Sequence, residues 1–170
     1  MSSHLPGYYA LFLQLTVVCD GSNLQCQANT ESAPGSSKSS DCVCKAGYYG
    51  ANGGSCTLCP AGSYCPGGTT KPACPANSVS EAGSSGISSC KCKAGFQGNN
   101  GQCARCPRGS YCPGGASVSV CPQNSASDEG SDSGNDCSCL AGYFEPNPDP
   151  TKEPTCVQCD ANTYCEGGAR

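Results

Sequence analysis

The chain has 170 residues, among them 19 Cys, 23 Gly and 13 Pro, and nine basic against thirteen acidic side chains give a formal net charge of −4. Leu, Ile, Val and Phe number 7, 1, 7 and 3, and seven of these precede Gly21, which leaves too little apolar material for a Rossmann sheet, a helical bundle, a TIM barrel or most enzyme scaffolds. A short chain with more than about 8–10% Cys reads instead as a disulfide scaffold, and mild acidity without Trp leaves no basic or base-stacking footprint for nucleic acid.

The only sustained apolar run is residues 8–18, YYALFLQLTVV. It is too short to span a bilayer and has the length of a signal-peptide core, so residues 1–21 are expected to be a leader cleaved after Cys19 or Gly21. Either cut removes Cys19 and leaves 18 cysteines, an even number that suits an oxidising compartment. The sole histidine, His4, lies in this leader, so no Ser-His or Cys-His pair remains for nucleophilic catalysis.

One cysteine-rich unit recurs along the rest of the chain, and such periodicity decides the architecture before any local element does. CPAGSYCPGG begins at Cys59, CPRGSYCPGG at Cys106 and CDANTYCEGG at Cys159. CQANTESAPGSSKSSDCVC begins at Cys26, CPANSVSEAGSSGISSCKC at Cys74 and CPQNSASDEGSDSGNDCSC at Cys121. KAGYYGANGGSC from Lys45, KAGFQGNNGQC from Lys93 and the longer LAGYFEPNPDPTKEPTC from Leu140 close the units. The chain therefore divides into the leader (1–21), a partial repeat (22–58), a full repeat (59–105), a full repeat with a Pro-rich insertion (106–158) and a partial repeat (159–170) that stops mid-unit at Arg170, as a fragment does.

Local signals point to short hairpins and little helix after the leader. Asn52-Gly53 and Asn100-Gly101 are two-residue hairpin turns, because both central positions need positive φ. Gly47, Gly95 and Gly142 each precede an aromatic ring (Tyr48, Phe96, Tyr143) placed to cover a disulfide, and Tyr64, Tyr111 and Tyr164 each precede the second cysteine of a unit. The Ser/Gly-rich stretches, such as residues 32–40, read as solvated loops.

With Cys19 removed, Cys26, Cys42, Cys44 and Cys56 form a closed set. A bridge within the strained C-x-C pair is disfavoured, which leaves a local scheme (Cys26–Cys42, Cys44–Cys56) and a crossed one (Cys26–Cys44, Cys42–Cys56). The local scheme is favoured, because a hairpin turning at Asn-Gly brings Cys44 and Cys56 together across its strands. Repetition then gives Cys74–Cys90, Cys92–Cys103, Cys121–Cys137 and Cys139–Cys156, and the leftover cysteines pair as Cys59–Cys65, Cys106–Cys112 and Cys159–Cys165. Each 15-residue loop so closed contributes roughly 3 kcal/mol in the chain-entropy picture.

The segments Cys42, Cys44, Gly47, Tyr48, Cys56 and Cys90, Cys92, Gly95, Phe96, Cys103 resemble the C-x-C-x2-G-[aromatic]-x(4–8)-C signature of epidermal-growth-factor-like modules. The third copy (Cys137, Cys139, Gly142, Tyr143, Cys156) departs from it through its longer closing stretch. The whole unit resembles the ephrin-receptor-like cysteine-rich repeat and is also similar to tumour-necrosis-factor-receptor modules; such repeats occur in tandem in large surface proteins of algae and other protists. The resemblance covers residues 26–170 and implies a non-catalytic extracellular module. It also implies a competing pairing (Cys59–Cys74, Cys65–Cys90, Cys92–Cys103), which strands Cys26 and Cys42 unless Cys19 is retained.

Other chemistry is weakly signalled. The C-x2-C pairs Cys56/Cys59, Cys103/Cys106 and Cys156/Cys159 have the spacing of zinc knuckles or redox dithiols, yet in a repeat array they are more simply the joints between units. The acidic loop Asp128, Glu129, Asp132, Asp136 is a weak cation candidate that reads better as a solvated face, and no acid stands just before Cys59 or Cys106 as calcium-binding growth-factor-like domains require. Arg108-Gly109-Ser110 resembles an integrin tripeptide only loosely. The expectation is a small disulfide-rich fold, an elongated tandem array of cysteine-rich modules with short β-hairpins. It is expected to act without cofactor, metal or catalytic residue as a secreted or cell-surface spacer, stalk or adhesion module. Its expected partners are proteins or glycans at the cell surface, or further copies of itself, with no nucleic acid and with membrane contact only through an anchor elsewhere. A receptor ectodomain is the rival reading, with a metal-thiolate protein behind it, and residues 145–154 (EPNPDPTKEP) read as a spacer.

Overall fold

A computed structural model describes Val18–Cys19 and residues 24–167. The expected leader therefore lies outside the described residues except for Val18–Cys19, which pairs antiparallel with Leu24–Gln25.

Each half of a unit opens on the same tight turn. In Pro75-Ala76-Asn77-Ser78 the Ser78 amide donates to the Pro75 carbonyl (3.2 Å), and Pro60-Ala61-Gly62-Ser63 closes identically (3.2 Å). The third position takes positive φ, at Asn77 (61°) and Gly62 (77°), as it does at Asn29, Gly109, Asn124 and Asn162. A type II turn needs a left-handed residue there, and Gly and Asn adopt that conformation at least cost. The chain leaves the Cys74 turn as the strand Ser78–Val79, which pairs antiparallel with Lys91–Cys92; Thr30–Glu31 with Val43–Cys44 and Ser125–Ala126 with Ser138–Cys139 repeat the ladder in the same register.

A second ladder follows the C-x-C pair. In the first full repeat Phe96–Asn99 pairs with Gln102–Arg105 across Asn100-Gly101 (φ 53° and 71°), the two-residue turn whose twist matches that of its strands. The earlier copy differs from the expectation. There Tyr48–Tyr49 pairs with Thr57–Leu58, and only Gly53 of Asn52-Gly53 has positive φ (74°). The Gly54 amide donates to the Ala51 carbonyl (3.0 Å), so Asn52 stands at the second position of a turn inside a wider loop. The cause is one extra residue: 12 positions separate Cys44 from Cys56, against 11 between Cys92 and Cys103. A second correction concerns what the hairpin does for the cysteines. Cys103 faces Gly98 across the hairpin while Cys92 belongs to the preceding ladder opposite Ser78, so the bridge staples two ladders together rather than two strands of one hairpin.

The Ser/Gly-rich stretches are exposed, but they are not featureless. They close in single 3-10 turns at Ser39–Asp41, Ile87–Ser89 and Gly134–Asp136, and among the described residues there is no α-helix. The Asp41 Oδ2 accepts from the Ser37 and Lys38 amides (3.0 Å each), and Asp136 repeats this with the Asp132 and Ser133 amides (2.9 and 3.1 Å). The Ser37 amide, followed by that of Lys38, holds the Asp41 carboxyl below the ordinary aspartate value of 3.8. A depressed folded pKa means that the turn's contribution is present above the unfolded pKa and is lost as pH falls through the folded one. Carboxyl-resonance titration by NMR is expected to place the Asp41 midpoint below 3.8; a midpoint at or above that value contradicts these hydrogen bonds.

The interior is sulfur. Apart from Pro154 and a few glycines, every buried apolar residue of the described chain is a cysteine: Cys42, Cys44, Cys59, Cys65, Cys90, Cys92, Cys106, Cys112, Cys121, Cys137 and Cys139. The larger apolar side chains stay out, with Leu58, Val79, Ile87, Val118, Val120, Leu140, Phe144 and Val157 all exposed, and the Tyr48, Phe96 and Tyr143 rings only half-buried. Buried hydroxyls are satisfied locally, as burial requires: Ser80 Oγ donates to the Ser63 carbonyl (2.6 Å) and Ser127 Oγ to that of Ser110 (2.7 Å). The protein is a small disulfide-rich β fold of two-stranded antiparallel ladders.

Candidate functional site: the cystine-lined unit junctions

Nine disulfides run through the described chain. Cys26–Cys42, Cys44–Cys56, Cys59–Cys65, Cys74–Cys90, Cys92–Cys103, Cys106–Cys112, Cys121–Cys137, Cys139–Cys156 and Cys159–Cys165 are the bonded pairs. This is the local arrangement. The crossed scheme is absent, and of the pairing implied by the growth-factor resemblance only Cys92–Cys103, common to both schemes, is present. The C-x2-C neighbours bond away from each other, Cys56 to Cys44 and Cys59 to Cys65, so each such pair is where one unit's last bridge meets the next unit's first.

At that meeting point one glycine joins the two units. The Gly47 amide donates to the Cys65 carbonyl and the Gly47 carbonyl accepts from the Cys59 amide (2.9 Å each). Gly95 does the same with Cys112 and Cys106 (2.9 Å each), and Gly142 with Cys165 and Cys159 (2.9 and 3.0 Å). A second pair of rungs lies alongside: the Gly68 amide donates to the Cys44 carbonyl (2.8 Å) and Gly50 donates to Gly68 (3.0 Å), repeated by Gly115 to Cys92 (2.7 Å) and Gly98 to Gly115 (3.2 Å). A Cβ on Gly47 would stand 2.7 Å from the Gly83 carbonyl oxygen, and one on Gly95 2.6 Å from that of Gly130. With φ of 87° and 81° as well, these positions admit no ordinary side chain. Across the first junction the Lys71 ammonium sits 4.8 Å from the centroid of the Tyr49 ring, within cation–π range.

Within a unit, the two halves are laced by backbone rungs. Cys65 donates to the Ser84 carbonyl (2.9 Å) and Gly83 to that of Cys59 (2.8 Å); Cys112 to Ser131 (3.0 Å) and Gly130 to Cys106 (2.8 Å) repeat them. Cys59, Cys65, Cys106 and Cys112 are in consequence fully buried.

The Pro-rich insertion is not a free spacer. Tyr111 donates its hydroxyl hydrogen to the Glu153 carboxylate, Pro154 is buried, and the Glu153 side chain lies over Gly134, filling the space a Cβ there would take. Residues 145–154 thus fold back across their own unit, because a carboxylate and a tyrosine hydroxyl, 42 positions apart, find each other. The hydrogen bond to Glu153 raises the Tyr111 pKa above its ordinary value of 10.0. For a raised folded pKa, the linked stability is fully present below the unfolded value and is lost as pH rises through the folded one. Phenolate absorbance of the protein and of Glu153→Gln is expected to show the Tyr111 midpoint above 10.0 falling in the variant; an unmoved midpoint contradicts the contact.

Of the acidic loop, Asp128 and Asp136 are engaged in structural contacts. Asp128 pairs with Arg108 at 2.9 Å with both side chains exposed, a geometry worth little, and Asp136 closes its 3-10 turn. Among the described residues no three His, Cys, Asp or Glu side chains converge as a metal site would require. In Arg108-Gly109-Ser110, Gly109 is the left-handed turn residue and Ser110 is buried, so the tripeptide is not displayed as a unit.

Two features were absent from the sequence reading. One is the C-x2-[Asn/Gly]-[Ser/Thr] turn, whose signal was in plain view six times over. The other is the strand Ser117–Val120, which pairs with Ser110–Gly114 and leaves Val118 exposed and Val120 77% exposed. The equivalent stretch of the preceding unit has Lys71-Pro72 and forms only the isolated bridge Ser63↔Ala73, since Pro fixes φ and lacks the amide a ladder needs. No family profile matches the chain, and no characterised protein or solved structure is significantly similar to it.

Proposed function

We propose that the chain is a non-catalytic extracellular structural or adhesion module: a disulfide-stapled spacer or stalk of a secreted or cell-surface protein, of the ephrin-receptor-like kind its repeats resemble. The observation that carries this reading is the all-cystine interior. A chain whose described residues bury little apolar surface other than disulfides keeps its shape in an oxidising compartment and loses it where glutathione and thioredoxin keep thiols reduced. The glycine rungs support the stalk role, because each unit contacts the next through the same backbone bonds and the array extends by repetition.

A receptor ectodomain is the second reading, favoured by the Val118/Val120 strand of one unit only. Two variants separate the readings by cross-linking to cell-surface extract: one lacks residues 59–105, and the other carries TTKPA of residues 69–73 in place of ASVSV at 116–120. A spacer retains its cross-linked species in the exchanged protein and shortens, by scattering, in the deleted one. Loss of one defined cross-linked protein on exchange alone overturns the spacer reading and establishes the receptor.

A further inference from the structure

We infer that the strand Ser117–Val120 is a self-recognition edge, and that two copies of the chain pair along it antiparallel, about a two-fold axis at Ser119. The strand is the outer member of its ladder. Its partner Ser110–Gly114 is covered on the other side, where the Cys112 and Gly115 carbonyls accept from the Gly95 and Gly98 amides (2.9 and 3.2 Å). Successive residues of an antiparallel strand turn their amide and carbonyl to opposite edges. Ser119 lies opposite Tyr111, and the Cys121 amide donates to the Gly109 carbonyl (2.9 Å), so the main chains of Val118 and Val120 face outward. The preceding unit defends the same edge. Its aligned residues are Lys71, Pro72 and Ala73, and a lysine and a proline are what keep an exposed edge from pairing.

A second copy fits this edge in shape and in charge. With Ser119 at the axis, Val118 of each copy stands opposite Val120 of the other and exchanges amide and carbonyl hydrogen bonds with it. The valines, 42% and 77% exposed in the single chain, then cover each other as cross-strand pairs on one face. The two ends of the strand border opposite charge. At its start, Ala116 and Ser117 share a cleft with Lys91, in a repeat (59–105) that sets four basic side chains against Glu81 alone. At its end, Cys121 is bonded to Cys137 with Cα atoms 5.8 Å apart. Asp136 stands beside Cys137, in a repeat (106–158) that sets seven acidic side chains against two basic ones. Lys91 and Asp136 are both exposed. An antiparallel partner lays the start of one strand beside the end of the other, so Lys91 of each copy meets Asp136 of the other; a parallel partner would set like charge against like. Because one patch serves both copies, the contact is isologous and closes at a dimer. The inference goes beyond the spacer reading and does not depend on it, since a monomeric array also serves as a spacer.

The test is sedimentation velocity of the purified, oxidised 170-residue chain over a concentration series at low and high salt, with Val118→Lys and Val157→Lys beside it. Val118→Lys copies Lys71 of the preceding unit. Val157, 44% exposed in a different ladder opposite Phe144, takes the same added charge as the control. Each variant is first checked for free thiols. The parent and Val157→Lys are expected to form the same dimer and nothing larger, weakened by salt, and Val118→Lys to associate at least about tenfold more weakly. Amide exchange of the parent needs no substitution: Val118 and Val120 are expected to gain protection as the dimer forms. A parent that stays monomeric at every concentration overturns the inference, as does a dimer unchanged by Val118→Lys or one that leaves both valine amides unprotected. None of these results touches the spacer reading, which is tested with cell-surface extract rather than with the chain alone.

Discussion

Serine at both Cys92 and Cys103 is expected to open the first full repeat while the rest of the array keeps its bridges. The Cys92 side chain is 3% exposed and its bridge staples the ladder at Ser78 to the hairpin at Gly98. Removing a cross-link of this span releases about 3 kcal/mol of loop-closure restraint, and hydroxyls left in the sulfur's place without partners cost a further ~1–3 kcal/mol. No apolar neighbour compensates, because the buried apolar groups nearby are themselves cystines. Repeat arrays lose stability unit by unit, so hydrogen exchange should show residues 74–105 unprotected while 121–156 stay protected. The same double substitution at Cys159 and Cys165, already half-exposed, is expected to cost less. Equal losses at the two sites contradict a buried-cystine core.

The second large effect is expected at Gly95. Alanine there takes a left-handed backbone, at roughly 1–2 kcal/mol, and also places a Cβ 2.6 Å from the Gly130 carbonyl oxygen. Relieving that overlap must separate the two full repeats or distort the Gly95 rungs to Cys112 and Cys106, at about 1–3 kcal/mol more. Gly109→Ala is the control, with φ of 75° and nothing within 4 Å of the new methyl. Denaturant melts of the two variants should therefore differ, with Gly95→Ala less stable by more than the shared backbone cost. If the two coincide, the close approach at the junction contributes nothing.

The class of fold was readable because cysteine density and the repeat leave few alternatives: a chain with so few large apolar residues must be held covalently. The C-x2-C spacing recurs in every copy, and its two cysteines bond away from each other. Geometry that depends on one residue more or less was not readable. Asn52-Gly53 carries the same dipeptide as Asn100-Gly101, yet the extra Gly54 widens the loop and moves the turn. The fold-back of residues 145–154 was equally hidden, because Pro and charge mark a solvated segment locally and the partner, Tyr111, is remote in sequence. The role of Asp41 was not signalled in the sequence, and only its distance to two amides shows it closing a turn. The junction role of Gly47 and Gly95 was half visible: the glycines stood before their aromatic rings, but nothing local told of a carbonyl from the next unit.

The account rests on disulfides standing in for an apolar core, and one measurement reaches it directly. Free thiols of the untreated chain are counted, and amide exchange and protease resistance are followed before and after mild reduction with metal chelated. The expected result is essentially no reactive thiol from Cys26 onward in the native protein, and simultaneous loss of exchange protection and protease resistance on reduction. About eighteen reactive thiols released by chelation alone, or a reduced chain that stays compact and protease-resistant, would contradict it.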